Sequence, residues 1–463
     1  MASKSTKAYP LYRLNPFNFL FPYHGSEKNS MRRGYGDRRA QARRSDMLTR
    51  ALRIRWPLAL GATARGLITL YTSALLAGMW SMMVPAVPVM AQAFGVSPGV
   101  AAQTITALAL GRFAGMPISG AVLDRLGTRA ALTSGPALAC SAAALAGLTP
   151  WFSSILALVF VIGVGESIWV IAREVAGIDL ARQDQRGRVL SGFHGINNLG
   201  LALGPLFGGL LTEAVGFRAV FFGYAGCAAA SVFIGLAVDG AHPAAPLAPS
   251  SPGLGWGWAA FGRRLRALQD LFHQISPELR TTYAVLVLAT FTSFMHRVTT
   301  QSMLPLLATA RLGLSPKEIG MLFTISGISV FAMILPAGFV IDKVGRKWAT
   351  VPSTGIPAVA FLLIPFADSF FHLAVLISFL GIANGLSLGS LATSTYDVVP
   401  PSARGRLQAA RRTIAEIGGV SAPLAGGYLA DRFNPGVPFL AYAPLLILSA
   451  ILLGALARET LQR

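Results

Sequence analysis

Charged side chains set inside apolar runs are the residues of this chain that could do chemistry. Arg112 follows Ala107-Leu-Ala-Leu-Gly111, Glu166 follows Val161-Ile-Gly-Val-Gly165, and Arg411, Arg412 and Glu416 interrupt a third run. At the centre of a bilayer such a group costs about 2.5–3.5 kcal/mol on insertion scales, so it faces a watery cavity or a partner. A carboxylate held there can take up and release a proton, which makes Glu166 and Glu416 candidates for proton coupling. A guanidinium offers a fork of donors to oxyanions. Arg112, Arg297 and Arg412, with His194, Asn197 and Asn198, are therefore candidates to line a cavity for a small molecule, and the surplus of cations points to an anionic or carboxylated one. Two choices stay open. Arg112 and Glu166 are either a proton switch or a fixed pair that holds two helices together, and His296-Arg297 either meets a substrate or snorkels to the interface. Arg412 and Glu416 are four apart and share a helix face.

The elements that position these groups are membrane helices. Hydrophobic residues make up 53% and charged residues 13% of 463 positions, where soluble proteins carry about a quarter charged. Stretches of about 20 apolar residues, each long enough to cross a core of ~30 Å, recur near 67–91, 101–123, 129–148, 152–178, 189–212 and 217–238, then near 282–308, 316–340, 347–367, 371–396, 407–429 and 437–457. The expected fold is an all-α integral membrane protein of twelve transmembrane helices, in six-helix bundles over 66–238 and 282–457. Arg112 lies twelve residues before Asp124, about 18 Å at helical rise, and Glu166 thirteen before Asp179, about 20 Å, so both fall near the midplane.

Lys and Arg crowd alternate connections: Arg125 and Arg129; Arg182, Arg186 and Arg188; Lys343, Arg346 and Lys347; Arg404 and Arg406. Positive charge in short loops marks the cytoplasm, which predicts both termini on that side of a plasma (inner) membrane. The net charge of +20 then reflects topology and attraction to anionic lipid rather than nucleic-acid binding. Residues 1–65 are expected to form a disordered basic cytoplasmic tail, with starts at Met31 or Met47 as alternatives, and 458–463 a short cytoplasmic tail. Residues 239–281 are expected to form a flexible linker followed by an amphipathic interfacial helix. Cys140 and Cys227 fall inside spans, where small-residue packing is expected. Without a phosphate-binding Gly-Lys-Ser/Thr loop, a His/Cys metal cluster or a nucleophile in a catalytic setting, the chain reads as a non-enzyme with no cofactor, a proton gradient as energy source, a small-molecule substrate and a monomeric state.

One sequence is written twice: Gly120-Ala-Val-Leu-Asp124-Arg125-Leu-Gly127-Thr128-Arg129 and Gly338-Phe-Val-Ile-Asp342-Lys343-Val-Gly345-Arg346-Lys347. The offset between these copies also relates Gly95-Val-Ser97-Pro98 to Gly313-Leu-Ser315-Pro316 and Asp179 to Asp397, so the chain is two homologous halves. These doubled loops resemble the signature loop of the major facilitator superfamily of secondary transporters, over about residues 66–457. The resemblance implies two pseudo-symmetric bundles about a midplane cavity, alternating access, and a cytoplasmic gate in which Gly120 and Gly338 allow close approach, Asp124 and Asp342 sit at helix N-termini, and the loop cation pairs with Asp179 or Asp397. The first copy has Thr128 where the second has Arg346, leaving Arg129 as the nearby substitute, so the latches are unequal. Gly200-Leu-Ala-Leu-Gly204-Pro205-Leu-Phe-Gly208-Gly209 is similar to the Gly-Pro motif of exporters in that superfamily, although the arginine that multidrug exporters carry early in span 4 would fall near Val159. The resemblance implies proton-coupled efflux of a small organic compound, with uptake of an organic anion and a non-transporting receptor of the same fold as alternatives.

Overall fold

In a computed structural model of the chain, residues 62–181, 186–237, 272–400 and 403–460 are described, and all their regular structure is helical. The expectations for residues 1–61 and 461–463, and for most of the linker, lie outside these residues. Span 1 runs from Ala62 to Phe94 through a 3-10 stretch, Met79–Ala86, that contains Pro85. Spans 2 and 3 share the long helix Pro98–Leu148, broken at Gly127. Span 4 is Phe152–Leu180, span 5 Arg186–Ala214 and span 6 Phe217–Ala237. The second half follows with span 7 at Pro277–Leu312, span 8 at Pro316–Phe339 plus a π turn Val340–Val344, and span 9 at Lys347–Leu363 with a short 3-10 turn. Span 10 is Phe370–Val398, span 11 Arg404–Arg432 and span 12 Val437–Ala455. Span 7 begins at Pro277, earlier than the sequence pattern predicts, and Ile275 just before it is buried beside Tyr283.

Local sequence sets the helix ends. Gly95 and Gly313 both adopt φ 61°, the left-handed cap that a side chain disfavours. Two residues on, the hydroxyls of Ser97 and Ser315 accept the N–H of Val100 and Glu318, and Pro98 and Pro316 occupy first-turn positions where no donor is missed. At the doubled loops Gly127 (φ 83°) and Gly345 (φ 152°) provide the positive φ that turns the chain from span 2 into 3 and from 8 into 9.

Among the described residues eight helices are long and apolar enough to cross a membrane, and one of them, Pro98–Leu148, holds two spans. Spans 5, 7 and 11 fall outside that group because they carry polar faces, such as His194, Asn197 and Asn198, or Arg411, Arg412 and Glu416. A lipid-facing helix could not carry those faces, so they mark helices turned inward. Every hydrogen bond between the halves among the described residues lies toward the face opposite the doubled loops. At the loop face, a Cβ on Gly120, Gly195, Gly338 or Gly405 would meet nothing within 4 Å. Among the described residues the halves are joined at one end and parted at the other.

Candidate functional site

Spans 2 and 4 cross at glycine: a Cβ on Gly111 would strike the Phe160 carbonyl, and one on Gly163 the Leu108 carbonyl. This close approach delivers Arg112 to Glu166. Arg112 Nε donates to Glu166 Oε2 at 2.7 Å, Nη2 donates to the same oxygen, and the Tyr224 hydroxyl of span 6 donates to Oε1 at 2.6 Å. The Arg112 guanidinium lies 4.3 Å from the Trp80 ring centroid. Glu166 is 3% exposed, whereas the Arg112 side chain keeps 32%. A buried carboxylate is thus fully satisfied by a cation that itself reaches water.

The second half is built differently. Arg297 lies near the middle of span 7, where Nε donates to Asn384 Oδ1 of span 10 at 2.7 Å and Nη2 donates to Ser387 Oγ. His296 is wholly buried, with Nε2 3.1 Å from the same Asn384 oxygen and Nδ1 3.2 Å from the Thr292 carbonyl. Interface snorkelling is therefore excluded for His296, and Arg297 is held inward by span 10. Arg412 Nε stands 3.8 Å from Glu416 Oε1, with side chains 64% and 13% exposed. Arg411 donates instead to Thr290 Oγ1 of span 7 and to Gln408 Oε1.

Of the polar groups on span 5, His194 Nε2 lies 3.8 Å from Glu174 Oε1, and Asn198 Nδ2 donates back to the His194 carbonyl. Asn197 donates to the Ala74 carbonyl at 3.0 Å, which fastens span 5 to span 1. The Gly-Pro motif is a contact ridge: Gly200, Gly204 and Gly208 lie against span 1 at Leu75, Ser81 and Met82, Gly209 against Pro316, and the Pro205 carbonyl against Gly320 of span 8. Arg173 is buried near Ser73, and its Nη1 donates to the Ser73 carbonyl at 3.4 Å, so it braces span 4 on span 1.

The doubled loops are unequal. In the second, Arg346 Nε lies 2.8 Å from Asp397 Oδ2. In the first, Thr128 is buried with its hydroxyl unpartnered, Arg129 donates to the Leu236 carbonyl, and Asp179 is exposed without a partner among the described residues. The expectation that Gly120 and Gly338 sit at close approaches and that Asp124 and Asp342 sit at helix N-termini is not met in this conformation. Both carboxylates are exposed, as are Arg125 and Lys343, because the halves are parted here. The carboxylate at the start of span 9 belongs instead to Glu459, which accepts the N–H of Arg346 at 2.9 Å and of Lys347 at 3.1 Å.

The opposite face carries a lock that sequence reasoning missed. Asp431, at the end of span 11, accepts the Ser97 hydroxyl and the Gly99 N–H, each at 2.7 Å, at the N-terminus of span 2. Glu213, at the matching position of the first half, accepts the N–H of Lys317 at 3.3 Å at the N-terminus of span 8. Anions are favoured at such termini. The shared repeat position of Asp431 and Glu213 was the available signal. Tyr224, Asn384 and Ser387 were also missed, and Asn384 carries the same kind of signal, since it occupies the repeat position of Glu166.

Comparison with known proteins gives this geometry its family. The sequence profile of the Major Facilitator Superfamily matches residues 69–276 and 286–462. The multidrug resistance protein MdtG of Proteus mirabilis (strain HI4320) is 25% identical over 260 residues, 54% of this chain and 60% of that one. The probable sulfoacetate transporter SauU of Cupriavidus necator is 29% identical over 139 residues, 30% of this chain and 32% of that one. The chain thus spans less than two thirds of the length of these curated relatives. A crystal structure of the peptide transporter POT superposes with a TM-score of 0.70 over 89% of this chain and 98% of the other at 15% identity, a likeness of fold alone. With the profile covering both six-helix halves, the chain is a multi-pass membrane protein that belongs to the major facilitator superfamily.

Proposed function

We propose that this protein is a secondary active transporter that works by alternating access and exports a small organic compound, amphipathic or anionic, in exchange for protons. The observation that carries this reading is the Glu166 carboxylate, buried near the midplane between Arg112 and Tyr224 while Arg112 remains open to the cleft. Substrate or a rocking motion that draws Arg112 away would leave a carboxylate in a dry site, and such a group takes up a proton. The parted loop face and the locked opposite face fit one end state of a rocking cycle. The cations at the doubled loops support a cytoplasmic loop face with both termini inside and anionic lipid against it, in a plasma membrane. The names of the MdtG relatives support efflux. Energy comes from the proton gradient, with no cofactor and a monomer as the working unit.

Uptake of an organic anion is the second reading, favoured by Arg297, whose hydrogen-bond partners are neutral. Direction separates the two. A pH gradient imposed on inside-out and right-side-out vesicles should drive accumulation of labelled substrate only in the inside-out preparation if the protein exports; proton-driven accumulation only in right-side-out vesicles would replace efflux by uptake.

A further inference from the structure

The two halves treat their midplane arginines differently. In the first, Glu166 of span 4 neutralises Arg112. In the second, the matching repeat position is Asn384 of span 10, and it is this neutral amide that meets Arg297. No carboxylate pairs with Arg297 among the described residues, and its other contacts are Ser387 Oγ and the ring of Phe294, 5.9 Å away. Nη1 has no hydrogen-bond partner among the described residues. The Asn384 carboxamide oxygen is taken by Arg297 Nε and faces His296 Nε2, so its Nδ2 amide is left as a second donor beside the guanidinium.

A guanidinium in a low-dielectric interior without a counter-charge is costly to hold, and an incoming oxyanion with two acceptor oxygens relieves that cost. A cation ligand would be repelled by the same charge. The first half cannot play this part while Glu166 occupies its arginine. We propose that Arg297, with Asn384 Nδ2 beside it, is the seat for the carboxylate or sulfonate group of the transported compound, so that the cavity selects organic monoanions. This rests on the reading of the cleft as a substrate cavity and names the substrate class for it. It also gives a reason for the break in symmetry: in this conformation one half binds its own anion, and the other is left free to bind a foreign one.

The test is binding to the purified full-length protein in nanodiscs, measured by calorimetry with 2-naphthoate and naphthalene-2-sulfonate as anions, 2-naphthol as the neutral analogue and 2-naphthylmethylammonium as the cation. The wild type should bind the anions at least tenfold more tightly than the neutral and cationic probes. Asn384→Asp restores in the second half the carboxylate that the first half has, with almost no change in volume, and should abolish the anion preference. Arg297→Gln should do the same, and Arg297→Lys should retain part of it. A wild type without anion preference overturns the proposal, as does Asn384→Asp that keeps it while its elution profile and melting temperature match the wild type. Proteoliposome flux is read separately: anion preference without flux leaves the seat standing and removes the transport reading, whereas flux with a preference indifferent to Asn384→Asp removes the seat alone.

Discussion

Removing Asp431 should open the face that is closed in this structure. Its carboxylate joins span 11 to the start of span 2 through two hydrogen bonds of 2.7 Å, from Ser97 Oγ and Gly99 N. Because these bonds run between the halves, they exist only while that face is closed. Asp431 is exposed, so the lower end of the range for a hydrogen bond to a charged group applies, about 1.5 kcal/mol each. Asp431→Ala then costs the closed state about 3 kcal/mol, and at 1.36 kcal/mol per decade the ratio of open to closed molecules rises by roughly a hundredfold. Asp431→Asn keeps an acceptor and loses only the charge at a helix N-terminus, about 0.3–1 kcal/mol, a shift of roughly two- to fivefold. The assay is pulsed electron spin resonance between labels at Leu148→Cys and Phe366→Cys, one exposed residue per half at the closed face, in a background without Cys140 and Cys227. Asp431→Ala should add a longer distance population, Asp431→Asn a smaller one, and Glu213→Ala less than Asp431→Ala, since Glu213 accepts one bond at 3.3 Å. An unchanged distribution in Asp431→Ala, or a larger effect from Glu213→Ala, would refute this reasoning.

Other expected outcomes follow from packing. Gly163→Ala drives a methyl into the Leu108 carbonyl, so spans 2 and 4 must separate and the melting temperature should fall by several degrees, while Gly120→Ala meets open space and should stay near the wild type. Thr128→Val removes a buried hydroxyl that has no hydrogen-bond partner, and thermal unfolding should show equal or greater stability. Asp397→Asn strips the counter-charge from Arg346 and should destabilise more than Asp179→Asn, whose carboxylate has no partner among the described residues; parallel melting curves check the order.

What the sequence made legible is what the bilayer makes expensive. Arg112 and Glu166 could be placed near one depth by counting residues from Asp124 and Asp179, because a charge at the midplane demands a partner and only a few were in reach. Tyr224 and Asn384 escaped because an uncharged polar side chain on an apolar helix is cheap enough to be ordinary. Asp431 and Glu213 escaped because an acid at a span end is unexceptional until the helix it caps is known. The gate expected around Asp124 and Asp342 depends on which end of the cleft is closed, and that is a property of a conformation, which residue order does not encode.

The Glu166 carboxylate is central to the proposed exchange, and one measurement addresses it directly: proton-gradient-driven substrate flux in proteoliposomes for the wild type and Glu166→Gln, with substrate counterflow at equal pH as the control. Loss of the gradient-driven component in Glu166→Gln with counterflow retained is the predicted result. Glu166→Gln that keeps full proton-driven flux would contradict it.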